Sequence, residues 1–429
     1  MKQVFNRTIS FFNVIESKIA FYPTLLALMG FCFAVFMLYL ENLGISRYLV
    51  EHSPILVVDN GDTAMTILSS LISGLISVVV FSFSMVMLLL SQASSNYSPR
   101  LLPGLISDRR HQIILGVYLF TILYCIFILF SIQPTGDKYQ IPGFSVLIGI
   151  LETVFCIYAF IYFIHNISQS IQISNILQGI YKTAKLRLND LVEKEEEEVE
   201  EFPDSSDWYE YHSEKSGYLQ NISYPNLVDI CKEQENLLHI LPVKGMFVLN
   251  GIPIIRSKKE LDEISVKRIL SNFNFAREEL VSDNYVLAFK QITEIIVKAM
   301  SPGINDPGTA INGIDYLTEL LAIRMKKKDS NRITKDGHVF IKINTISFGD
   351  LLFNIMASIR TYSKHDIILV QKLLLMFHYL KKQRSHNNSY YDNIDQEAAN
   401  LLRDAEDAIT NKKDFERAKN LAIKLKLNF

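Results

Sequence analysis

The chain has 429 residues, 49% of them hydrophobic and 21% charged, with a mean hydropathy of +0.17. Soluble domains run nearer a quarter charged, so part of this chain belongs in lipid. A formal net charge of −2 leaves no basic surplus for nucleic acid, and the length allows two or three domains.

Four apolar stretches reach the roughly 20 residues that a helix needs to cross a bilayer core at about 1.5 Å per residue. They run from Phe21 to Leu40, Ile67 to Leu90, Ile113 to Ser131 and Phe144 to Ile164. The first is expected to stay in the protein, because no small-x-small cleavage site follows it before Glu41. Lys2, Arg7 and Lys18 precede the first span, Arg100, Arg109 and Arg110 separate the second from the third, and Lys182, Lys185 and Arg187 follow the fourth. The other two connections hold Arg47 and Lys138 against Glu41, Glu51, Asp59, Asp62 and Asp137. The positive-inside rule then predicts both termini in the cytoplasm.

Beyond Ile164 the apolar positions Ile167, Ile171, Ile176, Ile180, Ala184, Leu188 and Leu191 recur at helical spacing. The fourth span is therefore expected to continue as one long helix whose stripe must be covered. The acidic run Glu193 to Glu201 reads as a solvated linker. Tyr224-Pro225-Asn226 can open a short helix, Gly245 to Leu249 reads as a strand, and Asn250-Gly251 is a turn into Ile252 to Ile255. Helices are predicted over Ile264 to Lys298 and Pro307 to Lys328, with an exposed loop from Lys326 to Gly337, a strand near Val339 to Ile343, and helices to the end. The predicted fold is mainly α, a four-helix membrane domain followed by a long helix and a helical cytoplasmic domain with a small β-containing module. Its parts are an N-terminal cytoplasmic or interfacial segment (1–20), the membrane domain (21–164), a helix extension with acidic linker (165–202), the mixed module (203–260) and the helical domain (261–429).

Two segments resemble a family of bacterial predicted membrane proteins, the domain-of-unknown-function family 2254. One is Ser91-Gln92-Ala93-Ser94-Ser95-Asn96-Tyr97-Ser98-Pro99-Arg100-Leu101-Leu102, with Asp108-Arg109 and Gln112 following; the other runs Ala299-Met300-Ser301-Pro302-Gly303-Ile304-Asn305-Asp306-Pro307-Gly308-Thr309-Ala310. Met300 stands where the family pattern usually has Leu. The resemblance implies a bacterial cytoplasmic-membrane location and brings no activity with it.

The second span concentrates small polar residues on one face. Ser70, Ser73, Gly74, Ser77, Ser84 and Ser91 fall within an arc of about 100°, together with Phe81 and Leu88. Such a face serves either close helix packing or a wet pore with Phe81 and Leu88 as apolar constrictions. Glu152 lies roughly 12 Å inside the fourth span, where a carboxylate must be paired, hydrated or neutralised and often marks a pathway. His165 ends that span and reads as an interfacial anchor. Arg100 and Arg109 sit at the inner mouth of the second and third spans, where lipid phosphate is the default partner. In the second motif Asp306-Pro307 is an N-cap followed by proline at the first helical position, with Ser301 to Asn305 the tight connection of a helical hairpin. The oxygens of Ser301, Asn305, Asp306 and Thr309 could alternatively meet a cation or a partner chain. The four cysteines, Cys32, Cys125, Cys156 and Cys231, have no metal-site spacing and are expected as small buried residues.

No phosphate loop, H-E-x-x-H or G-x-S-x-G occurs, so no catalytic residue, metal or cofactor is expected and no enzyme is predicted. The expected function is a homo-oligomeric, cation-leaning ion channel or channel-like pore in the bilayer, with a cytoplasmic assembly or gating domain. The alternative is a non-conducting scaffold or sensor acting through a cytoplasmic protein partner; a membrane-embedded enzyme ranks third.

Overall fold

A computed structural model describes residues 21–52, 57–58, 60–96, 109–132, 141–170, 172–193, 201–276, 284–329 and 332–427. The chain forms two compact units, Met1–Gln172 and Ile173–Phe429.

The first unit contains α1 (Phe21–Asn42), α2 (Ile45–His52), α3 (Gly61–Asn96), α4 (Arg109–Ser131) and α5 (Gly143–Ser170). All but α2 are long and apolar enough to cross a membrane, as the four apolar runs predict. Small residues bring some of these helices into backbone contact. A Cβ placed on Gly30 would sit 2.4 Å from the Phe120 carbonyl oxygen, so α1 and α4 approach to a separation only glycine permits. Two cores hold the bundle together, one around Ala34, Leu68, Tyr124, Cys125 and Ile128, the other around Leu75, Tyr118, Ile122, Cys156 and Phe163. Cys125 and Cys156 are buried as expected, whereas Cys32 is exposed on the bundle surface.

The long helix expected after the fourth span is two helices. α5 ends at Ser170 and α6 (Ile173–Glu193) follows. Ser170 Oγ donates to the Asn166 carbonyl at 2.8 Å, and the Gln172 amide reaches back only three residues, to Gln169 at 3.2 Å. The three-residue reach of the Gln172 amide is a tightened final turn, as at many helix ends. Most of the acidic linker (194–200) lies outside the described residues.

In the second unit, α6 buries Leu177, Tyr181, Ala184 and Leu188 against α9 (Tyr285–Ala299) and α10 (Pro307–Arg324). Tyr181 hydrogen-bonds Glu319, Lys185 Nζ donates to the Tyr181 hydroxyl at 2.7 Å, and the Tyr181 and Tyr316 rings lie 4.9 Å apart. Of the predicted stripe, Ala184 and Leu188 are buried here, while Ile176, Ile180 and Leu191 are half-buried; the covered face is centred on Leu177 and Tyr181, beside the predicted positions.

The β structure is larger than residues 203–260. β1 (Tyr209–His212), β5 (Pro253–Ser257), β3 (Leu238–Ile240), β8 (His338–Ile343) and β7 (Arg332–Lys335) make a five-stranded sheet in that order. β4 (Phe247–Val248), β2 (Gly217–Ile222) and β6 (Phe273–Ala276) make a second sheet of three strands. β3 and β8 pair in parallel, so a hairpin far along the chain completes the first sheet. The expected loop from Lys326 to Gly337 contains β7 and the Asp336-Gly337 turn, where both residues have positive φ. The expected helix from Ile264 to Lys298 is interrupted. α8 (Glu263–Leu270) gives way to β6, whose alternating Phe273-Asn274-Phe275 pairs with β2, and α9 follows. α7 (Tyr224–Gln234) begins at Tyr224-Pro225 as anticipated. α11 (Phe348–Ser363), α12 (Ile367–Lys381), α13 (Ser389–Ala408) and α14 (Lys412–Lys424) complete the unit. Ser347 and Asp366 cap the first two of these through the amides of Asp350, Ile368 and Leu369.

Candidate functional site

The face of α3 that carries the small polar residues points away from the rest of the first unit. Ser70, Ser73, Gly74, Ser77, Phe81, Ser84, Leu88 and Ser91 are all exposed, whereas Ala64, Leu68, Leu75 and Ser82 form the buried side of the same helix. Gly74 is the telling position, because a Cβ built on it meets nothing within 4 Å. Where glycine serves packing in this bundle, as at Gly30, the neighbouring backbone is in contact; at Gly74 no described residue of another element is. The hydroxyls of Ser70, Ser73 and Ser77 donate to the carbonyls of Thr66, Ser69 and Ser73 at 2.8, 2.9 and 2.9 Å, which satisfies their donors but leaves their oxygens able to accept. Phe81 is 55% exposed and Leu88 68%, and the Phe81 ring meets Phe160 of α5 edge-on at 6.0 Å.

Glu152 does not share this face. It lies in the seam between α4 and α5 beside Thr121, Tyr124, Cys125 and Cys156. One of its carboxylate oxygens is buried without a hydrogen-bond partner, and among the described residues no cation pairs with it. A second acid, which the sequence reading did not single out, fastens the N-terminus of α5. Glu41 Oε1 accepts from the Ser145 amide and hydroxyl at 2.8 and 2.7 Å, a favourable place for a carboxylate near the positive end of a helix. Tyr124 Oη donates to the Ser145 carbonyl at 2.8 Å, tying α4 to the same point.

Where α4 begins and α5 ends, the Arg109 guanidinium lies 4.6 Å from the centre of the Tyr22 ring. Arg110 donates to Asn166 at 3.5 Å, and Asn166 meets His111 at 3.2 Å. Arg109 is thus held against an aromatic face. Arg100 and positions 97–102 and 108 of the first family motif lie outside the described residues, and His165 is exposed.

In the second motif the structure brings the residues together as a helical hairpin. Ser301 Oγ donates to the Lys298 carbonyl at 2.7 Å, Asn305 takes a positive φ of 48°, and the Asp306 amide closes back on Ala299 at 2.8 Å. Asp306 caps α10, accepting from the Thr309 amide at 3.1 Å and the Thr309 hydroxyl at 2.6 Å. These two bonds hold its carboxyl below the usual carboxylate range. Turn and cap geometry thus accounts for each of the four residues without a ligand.

Two polar clusters of the second unit carry no local signal in the sequence. Arg324 at the end of α10 is 1% exposed. Its guanidinium donates to Tyr285 Oη at 3.0 Å, the Lys327 carbonyl at 3.1 Å, the Ile346 carbonyl at 3.2 Å and the Asp329 carboxylate. Burial alone would lower its pKa, but Tyr285 and Asp329 outweigh that and raise it. Elsewhere Ser205 Oγ lies 2.7 Å from His239 Nδ1, and His239 Nε2 lies 3.1 Å from Asn344 Oδ1. Desolvation holds His239 below the ordinary histidine range. Ser205 is 2% exposed, so this chain of hydrogen bonds fastens residues 201–208 to the β3–β8 pairing with no hydroxyl presented to a substrate.

Four spanning helices joined to a folded second unit define a multi-pass membrane protein. The chain belongs to the family described as predicted membrane protein (DUF2254), which it matches over residues 16–379. It is also similar to an uncharacterised protein of Mycobacterium bovis and to one of Mycobacterium tuberculosis, each 24% identical over 314 residues covering 70% of this chain. The matched region spans 60% of the length of each relative. No solved structure matches the chain.

Proposed function

We propose that the protein is a homo-oligomeric ion channel or channel-like pore of the bacterial cytoplasmic membrane, with the small polar face of α3 turned toward a shared axis. The supporting observation is that, among the described residues, the serines of this face are exposed and nothing lies above Gly74. Repeated around an axis, such faces give a path lined by hydroxyl oxygens and narrowed at Phe81 and Leu88. The oxygens of the serine face, with acids such as Glu51 and Asp62 in the connections expected outside, favour cations. Glu152, seated in the α4–α5 seam, would act on that path only indirectly. In this reading the second unit lies in the cytoplasm, where it assembles or gates the pore, and both termini share that side. A reporter fused after Phe429 that registers the outer compartment would contradict the orientation.

One observation favours a second reading, a non-conducting scaffold or sensor that meets another protein in the membrane. The hydroxyls of Ser70, Ser73 and Ser77 are already bonded to their own helix, so the face tolerates a dry helix–helix contact. Thiol labelling separates the two readings. Cysteines at Ser73, Ser77 and Ser84, in a chain whose native cysteines are replaced, should react with a water-soluble reagent in intact membranes. Cysteines at Val79 and Val86, which pack against the bundle core, should react far more slowly. Uniform protection of the three serine positions would remove the pore and leave the scaffold.

A further inference from the structure

Inside the first unit a line of polar side chains runs through the seam of α3, α4 and α5, on the buried side of α3 and away from its serine face. At one end Glu41 accepts from Ser145, and Tyr124 Oη donates to the Ser145 carbonyl at 2.8 Å. Glu152 follows, facing Tyr124 and Cys125 of α4 and bonded to the Thr121 hydroxyl. Cys156 Sγ donates to Thr121 Oγ1 at 3.4 Å. Tyr118 adjoins Cys156, and Ser82 of α3 adjoins Tyr118. Ser145, Tyr124, Thr121, Cys156, Tyr118 and Ser82 are each at most 4% exposed. On α4 the next polar side chain toward the start of the helix is Gln112, itself buried.

Two observations mark this line as a place for a proton. The first is hydrogen bonding. Glu152 Oε2, Tyr118 Oη and Ser82 Oγ are buried and make no hydrogen bond. Close packing alone gives no reason to place three such atoms in one seam, because each costs free energy in a low-dielectric interior. The second is charge. α1 and α3 contain no Lys, Arg or His, and those of α4 and α5, namely Arg109, Arg110, His111 and His165, stand in the first turn of α4 and the last turns of α5. The titratable groups that face Glu152 are Tyr124 and Cys125 on α4 and Cys156 on its own helix. None of these is a cation, so it falls to a proton to neutralise the carboxylate, and acids so placed in spans serve proton relays.

We propose that Glu152 is a proton-carrying carboxyl and that the first unit passes protons along this line within a single copy. Glu152 exchanges its proton with Tyr124, toward Ser145 and Glu41, on one side. On the other it exchanges through Thr121 and Cys156 with Tyr118 and Ser82. Each group that gives a proton onward receives one from the group behind it. The hydroxyls, the thiol and the carboxyl thus return to their starting state, and the net change is one proton moved down its gradient. The inference does not rest on the pore reading, since it needs neither a second copy nor the serine face of α3.

The test uses the full chain in liposomes that enclose a pH-sensitive dye, with an outward potassium gradient and valinomycin to draw protons inward. Wild-type liposomes should acidify faster than protein-free ones. Glu152→Gln, which keeps the shape and removes the carboxyl, should slow the rate at least about tenfold, the scale on which a positioned proton carrier acts. Tyr118→Phe removes one hydroxyl and should slow it as well. Dicyclohexylcarbodiimide gives a second measurement that needs no flux. This apolar reagent adds a protonated carboxyl's O–H across its N=C=N bond, so mass spectrometry of the treated wild type should find the adduct on Glu152. Acidification no faster than in protein-free liposomes would overturn the proposal. So would equal rates for wild type and Glu152→Gln, which would move the protons to the serine face. A Tyr118→Phe rate equal to wild type would contradict the path through Ser82, and an unmodified Glu152 would contradict its proton.

Discussion

Replacing Arg324 with methionine should destabilise the second unit by about 3–5 kcal/mol, the loss typical of a buried charge pair deprived of one partner. The guanidinium is the common donor for three places, namely Tyr285 at the start of α9, the turn holding Lys327 and Asp329, and Ile346 before α11, which it ties to the end of its own helix. Methionine fills the volume but leaves the two carbonyls and the carboxylate without their donor, and desolvated acceptors are expensive to strand. Asp329 also accepts from the Phe348 amide at 3.2 Å, so the cap of α11 should loosen with it. In detergent the melting temperature should fall by roughly 10 °C, and hydrogen exchange should quicken first in α10 and α11. Arg268→Met breaks an exposed pair with Glu233 and should leave melting near wild type, because surface pairs contribute little. A shift for Arg324→Met as small as that for Arg268→Met would show the cluster to be incidental.

Phe81→Ser should raise cation flux through proteoliposomes at least about tenfold over wild type. An apolar constriction closes a narrow path by excluding water, and a hydroxyl in its place lets water remain. Phe81 suits this role because it is 55% exposed on the face that also presents Ser77 and Ser84, while its edge contact with Phe160 fixes the ring. Phe83 is also exposed, at 59%, but lies about 200° round the helix, outside the serine face. Phe83→Ser therefore serves as the control and should leave flux unchanged. Equal flux from the two variants would mean that the serine face bounds no path.

Much of this architecture was legible in the sequence because its signals are local. A bilayer demands a run of apolar residues, so the four spans declare themselves by length. The helical period groups Ser70, Ser73, Ser77 and Ser84 on one side, and Asp306-Pro307 marks a helix start by the chemistry of its own backbone. What was not legible depends on distant partners. The α6 period shows that a face must be covered, but it put Ile176 and Ile180 at the centre of that face, where α9 and α10 in fact meet Leu177 and Tyr181. The parallel pairing of β3 with β8 joins segments a hundred positions apart, and β6 is short enough for flanking helical periodicity to conceal. Arg324 sits among Arg and Lys residues that read as a solvated helix end; only the loops folding over it turn it into a buried donor. Glu152 stood out as an acid in a span, but which side of the helix met a neighbour required the bundle itself.

The most direct test of the central claim is a single-particle image of the full chain in lipid nanodiscs. The account predicts a closed ring of copies with α3 nearest the axis, Ser73 and Ser77 facing it, and the narrowest point at Phe81 or Leu88. A monomer, or a ring in which the serine face of α3 lies against lipid at the perimeter or is packed dry against another helix, would contradict it.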